Sequence, residues 1–340
     1  MRLPILLCGL AFAAPAAAAA QNPAPPAPQV TVSGVAYTQF VYQVADTAAH
    51  ANGFDVTRAY LNALGKFAGG VSTRLTADIY RQAGDNSLRY RLKYAFVAYT
   101  PQASALTFKL GQIHTPWVDW EEALWEYRMQ GTVALDRNGY LSSSDFGFGI
   151  DGKWSGDRVN LGVALINGEN YNGGTGDQRK DLTARVSVRL AATTDSSRVG
   201  GLRLTGYGHV GKPTGGGTRN RALGMLSYRS KQLTLAAEYA VTRDSGAAST
   251  ALLRGRVIST YAVVRFPKSK TAVIGRFDSV DPNTSVAGDR QNRLIVGVSY
   301  QFSPNLRLLG DWDRVSYETT PTPAQEAVRS QALFQAQFAF

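Results

Sequence analysis

The chain ends on the stretch Val328-Arg-Ser-Gln-Ala-Leu-Phe-Gln-Ala-Gln-Phe-Ala-Phe340. Apolar or small side chains recur at every second position, and arginine or glutamine side chains occupy most of the positions between them. Successive side chains of a β-strand point to opposite faces, so the alternation predicts a strand with one apolar and one polar face. The two faces of the corresponding sheet must therefore meet different surroundings.

The same period of two runs through the chain and gives about sixteen segments long enough to cross a membrane as tilted strands. The predicted strands are 30–44, 54–67, 71–82, 89–100, 106–112, 146–155, 158–167, 181–191, 201–211, 221–229, 232–243, 256–266, 271–280, 292–302, 306–317 and 328–340. Short turns such as 68–70 alternate with longer polar joints such as 167–180, as is typical of outer-membrane barrels. We therefore predict an all-β fold, a transmembrane antiparallel β-barrel of about 16 strands.

The beginning of the chain predicts export. Arg2 precedes an apolar stretch that is too short to span a bilayer as a helix, and the small residues at 18–20 place a cleavage site before Gln21. We expect a signal peptide over 1–20, a Pro-rich periplasmic segment over 21–29 and the barrel over 30–340, located in the outer membrane of a Gram-negative bacterium. Because periodicity alone leaves open which face meets lipid, a soluble secreted all-β protein is the alternative.

Composition excludes several classes of protein. Past the leader no run of about 18 apolar residues occurs, which excludes a helical membrane protein. The only cysteine, Cys8, lies in the predicted signal peptide, and the histidines His50, His114 and His209 have no metal-binding spacing. We expect no cofactor and no metal site. The formal net charge of +11 indicates an attraction for anions.

A closed barrel of this size leaves an aqueous lumen, so its default function is diffusion of small hydrophilic solutes. Its inward faces carry more bases than acids. The predicted pore-lining bases are Arg58, Arg74, Arg89, Arg91, Lys93, Lys109, Arg185 and Arg276. Fixed positive charge lowers the barrier for anions, which predicts a mild anion preference. The competing interpretation is that these side chains merely keep the lumen hydrated.

The longest joint, 113–144, is too long for a simple connection. Its segment 117–127 has helical spacing, with aromatic and aliphatic side chains on one side. The acidic residues of this predicted constriction loop are Asp119, Glu121, Glu122 and Glu126. We expect the loop to fold into the barrel after the fifth strand, with its acids across from the bases of strands two to five. The alternative is that the loop packs over the barrel mouth or against a neighbouring subunit.

Several motifs carry a family resemblance: Phe54-Asp-Val-Thr-Arg-Ala-Tyr-Leu61 leading into Gly69-Gly70 and Leu75-Thr-Ala-Asp-Ile79, then Lys109-Leu-Gly-Gln-Ile-His-Thr-Pro-Trp117, Arg276-Phe-Asp278 and the terminal Phe340. On these the chain resembles an outer-membrane porin, and most of all the phosphate-selective porin O and P family. The resemblance implies homotrimers in outer-membrane lipid, with Phe338 and Phe340 as the signal for the barrel assembly machinery. It also implies capture of phosphate by lysines and arginines.

The long loop departs from that family because it is acidic and has no lysine. We therefore predict a general porin whose permeants are small anions or phosphate, with a phosphate- or polyphosphate-selective channel as the alternative.

Other functional classes find little support in the sequence. Residues 147–152 match G-x-G-x-x-G, but a strand pattern follows where nucleotide binding requires a helix. The arginines alternate with lipid-type residues, so we predict no nucleic-acid partner. No motif indicates catalysis, and we predict that the protein is not an enzyme. A barrel-embedded enzyme or an adhesin is the alternative from another class.

Overall fold

A computed structural model describes residues 27–82, 84–173, 176–246, 249 and 251–340. The predicted signal peptide and most of the Pro-rich segment lie outside the described residues. The strands are β1 (Gln29–Gln43), β2 (Asn52–Lys66), β3 (Val71–Arg81), β4 (Leu88–Tyr99), β5 (Leu106–His114), β6 (Ser144–Trp154), β7 (Val159–Ile166), β8 (Asp181–Ala191), β9 (Gly201–Gly211), β10 (Thr218–Arg229), β11 (Leu233–Ser245), β12 (Leu253–Phe266), β13 (Thr271–Asp281), β14 (Gln291–Gln301), β15 (Leu306–Tyr317) and β16 (Ser330–Ala339).

Each strand pairs antiparallel with its neighbours in sequence, and β16 pairs with β1 to close a barrel of sixteen strands. Most joints at one end of the barrel, the short-turn end, are short, with 192–200 as the exception, and the longest joints lie at the other end, the long-loop end. The predicted all-β barrel of 16 strands is confirmed. No helix in the described part of the chain is long and apolar enough to span a membrane.

The alternation of side chains separates two faces on each strand. On β8, Leu182 and Val186 are exposed on the outer face, whereas Arg185 and Ser187 are buried on the inner face. Because the outer row is apolar and the inner row polar, the strand suits lipid outside and polar surroundings inside.

The helices are short: α1 (Val118–Leu124), α2 (Ala134–Arg137) and α3 (Pro323–Val328), with a 3-10 turn at Ala68–Gly70. The helix α3 shortens the last strand relative to the prediction, which began that strand at Val328. The Thr322 hydroxyl accepts from the Gln325 backbone N–H, and the Gln325 side chain accepts from the Thr322 N–H. This capping box starts a helix in a joint where none was predicted, and the helix overlaps the predicted strand only at Val328.

The closing pair is tightly fitted at Phe340. The backbone groups of Gly34 and Phe340 exchange hydrogen bonds of 2.9 and 3.0 Å. A Cβ atom at Gly34 would lie 2.4 Å from the Phe340 ring, so the ring needs glycine beneath it. Phe338 and Phe340 are both exposed on the outer surface.

A β-bulge on β4 changes which side chains face inward. Thr76 pairs with Tyr94 and Ala77 with Leu92, which leaves Lys93 as the extra residue. Lys93 and Tyr94 are consecutive, yet both are buried on the inner side. A bulge of this kind re-aims side chains by inserting one residue into a strand. The free Lys93 carbonyl accepts hydrogen bonds from the Gln112 amide (3.0 Å) and the Ser144 hydroxyl (2.6 Å).

The segment 115–143 between β5 and β6 carries the main apolar cluster of the protein. Trp117, Trp120, Leu124 and Trp125 are almost fully buried. They pack with side chains on the inner faces of β9–β15, namely Tyr207, Leu223, Met225, Ala236, Ala240, Val257, Tyr261, Val263, Ala272, Ile274, Val280, Ile295 and Leu309. The segment therefore covers an apolar patch on the inner faces of these strands, which also carry buried polar side chains such as Arg276 and Glu238.

Candidate functional site

Ion pairs join the acids of the segment 115–143 to basic side chains. Asp119 pairs with Arg198 at 2.6 Å, and Glu122 pairs with Arg128 of the same segment at 2.7 Å. A third acid, Glu126, pairs with two arginines. Each of these carboxylates therefore has at least one guanidinium against it, which offsets its charge.

Glu126 lies near the short-turn end of the barrel. Its carboxylate pairs with Arg229 at 2.6 Å and with Arg265, and its carbonyl accepts from Arg307 at 3.2 Å. Arg229 ends β10, Arg265 lies at the end of β12 and Arg307 lies at the start of β15. The segment thus leaves β5 at the long-loop end and contacts side chains at the opposite end of the barrel.

Side chains of β13, β14, β15 and β16 also hold the segment by hydrogen bonds. The Arg276 guanidinium on β13 donates to the Thr132 carbonyl at 3.0 Å, and the Gln335 amide on β16 donates to the Met129 carbonyl at 2.9 Å. The remaining two contacts join Tyr127 to Ser299 on β14 at 2.7 Å and Gln130 to Asp313 on β15 at 3.1 Å. The segment is therefore fixed against inward-facing side chains over a wide arc of the wall.

Glu121 is separated from the other acids because it is fully buried. Its carboxylate accepts from the Trp117 indole N–H at 2.9 Å and also contacts the Glu238 carboxyl of β11. Burial raises the pKa of Glu121 above its usual value. This acid belongs to the contact between segment and wall rather than to an open passage.

A cavity of about 310 Å³ lies between the segment and the wall formed by β1–β4 and β16. On the wall side it is lined by Tyr60, Asn62, Arg74, Lys93 and Tyr94. On the other side it is lined by Asp119, Glu122, Glu126 and Arg128. The structure thus brings two predicted pore-lining bases and three predicted loop acids together around one space.

The two wall bases differ from the acids in their partners. Arg74 donates to Asn62 at 3.1 Å and to His114 at 2.9 Å, and its guanidinium lies 4.4 Å from the centre of the Tyr94 ring. Lys93 donates to the Tyr60 hydroxyl at 3.3 Å. Within the described ranges, neither base has a carboxylate within 4.0 Å, so both keep their full charge toward the cavity.

Arg58 and Arg91 share one acid. Asp78 on β3 contacts Arg58 at 3.0 Å and Arg91 at 2.7 Å. Arg91 also lies between two aromatic rings, 3.8 Å from the centre of Tyr80 and 4.4 Å from the centre of Tyr171. Arg91 is thereby held by the wall and by the joint 167–180 at once.

The remaining predicted bases lie in other settings. Lys109 pairs with Asp151, and Arg89 pairs with Asp85 near the long-loop end. Arg185 and Arg276 point into the barrel but are buried beneath the segment 115–143. Arg185 donates to the Pro116 carbonyl at 2.9 Å, and this pair of bases therefore supports the segment instead of lining the cavity.

Sequence reasoning missed several residues of this site. It did not single out Asn62 or Tyr60, and it did not assign partners to the loop acids. The alternation places Asp78 among the few inward acids, because it lies four residues after Arg74 on the same face of a predicted strand, but it does not predict the two arginine partners of Asp78.

Comparison with known proteins identifies a family that matches the chain. A family model described as Gram-negative porin matches residues 6–320. No curated protein matches the chain in sequence.

Solved structures of similar fold include the anion-selective porin from Comamonas acidovorans, at 14% identity and a TM-score of 0.66, with 92% of this chain and 100% of that chain covered. They also include Salmonella typhi OmpF in complex with daunomycin, at 14% identity and a TM-score of 0.67, covering 92% and 97%. The trimer form of Vibrio cholerae OmpT matches at 11% identity with a TM-score of 0.63, covering 93% and 100%.

At these identities the solved structures support the fold alone. The matched family is that of Gram-negative porins in general, so the narrower resemblance to the phosphate-selective O and P family stays a prediction. The family model spans most of the chain, and the barrel, its closure and its inner polar face agree with it. The chain belongs to the Gram-negative porin family, and its fold is that of an outer-membrane channel.

Proposed function

We propose that this outer-membrane channel passes small hydrophilic solutes by diffusion, with a mild preference for anions. Its constriction is the cavity between the segment 115–143 and the wall of β1–β4. The observation that carries the proposal is the difference in pairing around that cavity. Arg74 and Lys93 have no acidic partner in the described part of the chain, whereas Asp119, Glu122 and Glu126 are each paired with arginine.

The balance of charge around the cavity favours anions. Its lining holds as many bases as acids, but the acids also have partners from outside the lining. Those outside partners are Arg198, Arg229 and Arg265. A permeating ion therefore meets a net positive field, which lowers the barrier for anions and raises it for cations.

The preference is expected to be modest for two reasons. Mobile ions screen charges over about 8–10 Å at ordinary salt. The three loop acids also line the same cavity and reduce the field of the two bases. A wet, mixed lining of this kind orients dipolar solutes without demanding one substrate.

We further propose a homotrimer, since the similar Vibrio cholerae OmpT is described in a trimer form. Export by a cleaved signal peptide and recognition of Phe338 and Phe340 by the assembly machinery belong to the same proposal.

A phosphate-selective channel is the second candidate, because two bases without acidic partners line one cavity. An arginine beside a lysine suits phosphate recognition by charge and hydrogen bonding. The acids Glu122 and Glu126 across the cavity weigh against a phosphate-specific site.

The test is solute uptake by liposomes that contain the purified protein. Small sugars and small anions should enter at rates that fall with solute size, and anions should enter faster than cations of equal size. Empty liposomes are the control. Uptake no faster than in empty liposomes would contradict a channel and return the adhesin or enzyme alternative. Block of chloride flux by millimolar phosphate would favour the phosphate channel.

A further inference from the structure

We infer that Asp78 sets the degree of anion selectivity by neutralising part of the charge of Arg58 and Arg91. The inference rests on the proposed function, because it concerns the same solute pathway. Asp78 is an acid, whereas the other charged side chains named on the wall of β2–β4 are mostly bases.

The position of Asp78 between two arginines follows from strand register. Asp78 lies on β3, directly across from Tyr60 on β2 and from Arg91 on β4. Arg58 lies two residues before Tyr60 and therefore on the same face. One carboxylate is thus within ion-pair distance of a base from each neighbouring strand, at 3.0 Å and 2.7 Å.

Burial separates the acid from its partners. The Asp78 side chain is 0% exposed, whereas the side chains of Arg58 and Arg91 are 23% and 15% exposed. A passing ion can therefore approach the two arginines but not the carboxylate behind them. The arginines present one net positive charge instead of two.

Asp78, Arg58 and Arg91 lie on the route to the constriction. Arg74, Thr76 and Asp78 follow one another on the inner face of β3, and Asp78 is nearer the long-loop end. At about 3.3 Å per residue, Asp78 lies roughly 13 Å along the strand from Arg74. An ion that enters at the long-loop end meets Arg58 and Arg91 before it meets Arg74 and Lys93.

Loss of the Asp78 charge should leave its neighbours in place. Arg91 is also held by a 2.9 Å hydrogen bond to the Tyr171 hydroxyl and by stacking on Tyr80 and Tyr171. An asparagine at position 78 keeps a hydrogen-bond acceptor of the same size. The substitution Asp78→Asn would then add one net positive charge to the pathway and extend the basic row.

The experiment measures the reversal potential of Asp78→Asn channels in a planar bilayer across a potassium chloride gradient. We expect the chloride-to-potassium permeability ratio to rise about fivefold, the effect of one unit charge at close range in water. The matched control is Glu318→Gln, which removes the acid of an exposed pair with Arg290 in the joints at the long-loop end, away from the wall of β1–β4. The control changes the net charge equally and should change the ratio little.

A charge-restoring double variant separates selectivity from a purely structural role. Arg91→Gln should shift the ratio toward potassium, and Asp78→Asn with Arg91→Gln should return it close to the wild-type value. A structural role would predict that the double variant is at least as damaged as either single variant. If Asp78→Asn fails to fold, as judged by heat-modifiable migration in gel electrophoresis, the ratio of the double variant relative to that of Arg91→Gln alone still measures the effect of the Asp78 charge.

Each outcome has one meaning. An Asp78→Asn ratio no higher than that of Glu318→Gln, in channels that conduct, would overturn the inference and leave the proposed function standing. An unchanged ratio in Arg91→Gln would also overturn it. Wild-type protein that does not conduct would overturn the proposed function itself.

Discussion

Neutralising the two unpaired bases, in the double variant Arg74→Gln with Lys93→Gln, should abolish the anion preference. One unit charge acts on an ion 4 Å away with about 1 kcal/mol in water and about 4 kcal/mol at an effective dielectric constant of 20. The lower figure suits a wet cavity, and screening reduces it further. Because 1 kcal/mol corresponds to roughly a factor of five, each substitution should lower the chloride-to-potassium ratio by at most about fivefold.

The assay is the reversal potential across a potassium chloride gradient, measured for each single variant and for the double variant. The control is Arg314→Gln, since Arg314 is exposed on β15 and lies on the opposite face from the buried Asp313. Loss of selectivity in Arg314→Gln as large as in the double variant would refute the reasoning. So would a double variant with the wild-type ratio.

Four other predictions concern the wall and the segment 115–143. Deleting 117–130 should raise single-channel conductance, since it removes the inner side of the constriction; unchanged conductance would place the segment outside the pathway. Arg91→Glu with Lys93→Glu should shift selectivity toward cations, and an unshifted reversal potential would contradict the inward facing of β4. Trp125→Ala should destabilise the packing of the segment by about 3–5 kcal/mol, because the centre of the buried Trp125 ring lies 5.3 Å from the centre of the Tyr261 ring. Proteolysis of the segment no faster than in wild type would count against this. Burial raises the pKa of Glu121 above its usual value of 4.5. The stabilising contribution of protonated Glu121 is therefore full below that value and is lost as the pH rises through the folded-state pKa. The segment should then loosen, so current noise should grow at alkaline pH in wild type but not in Glu121→Gln.

The barrel could be predicted from the sequence because a strand that faces lipid on one side and polar surroundings on the other has a strict period of two. Strands such as β8 and β9 therefore match their predicted bounds. The prediction was less accurate at β16, which it began at Val328, the last residue of α3, instead of at Ser330. The Thr322 capping box starts that helix in a joint where no helix was predicted.

The candidate site was less predictable because its pairing is tertiary. Alternation placed Arg74 and Lys93 on an inner face, but it could not show that Asp119 meets Arg198, 79 residues away in sequence. The bulge that turns both Lys93 and Tyr94 inward is likewise set by pairing with β3 rather than by local sequence. The prediction therefore identified the charged groups but not which of them keep their charge toward the pathway.

The most direct test of the central claim is the reversal potential of wild-type channels in a planar bilayer across a potassium chloride gradient. The account predicts open-channel currents with a modest chloride-favouring potential, because the unpaired charges around the constriction are Arg74 and Lys93. A potassium-favouring potential, or protein that inserts without conducting, would contradict it.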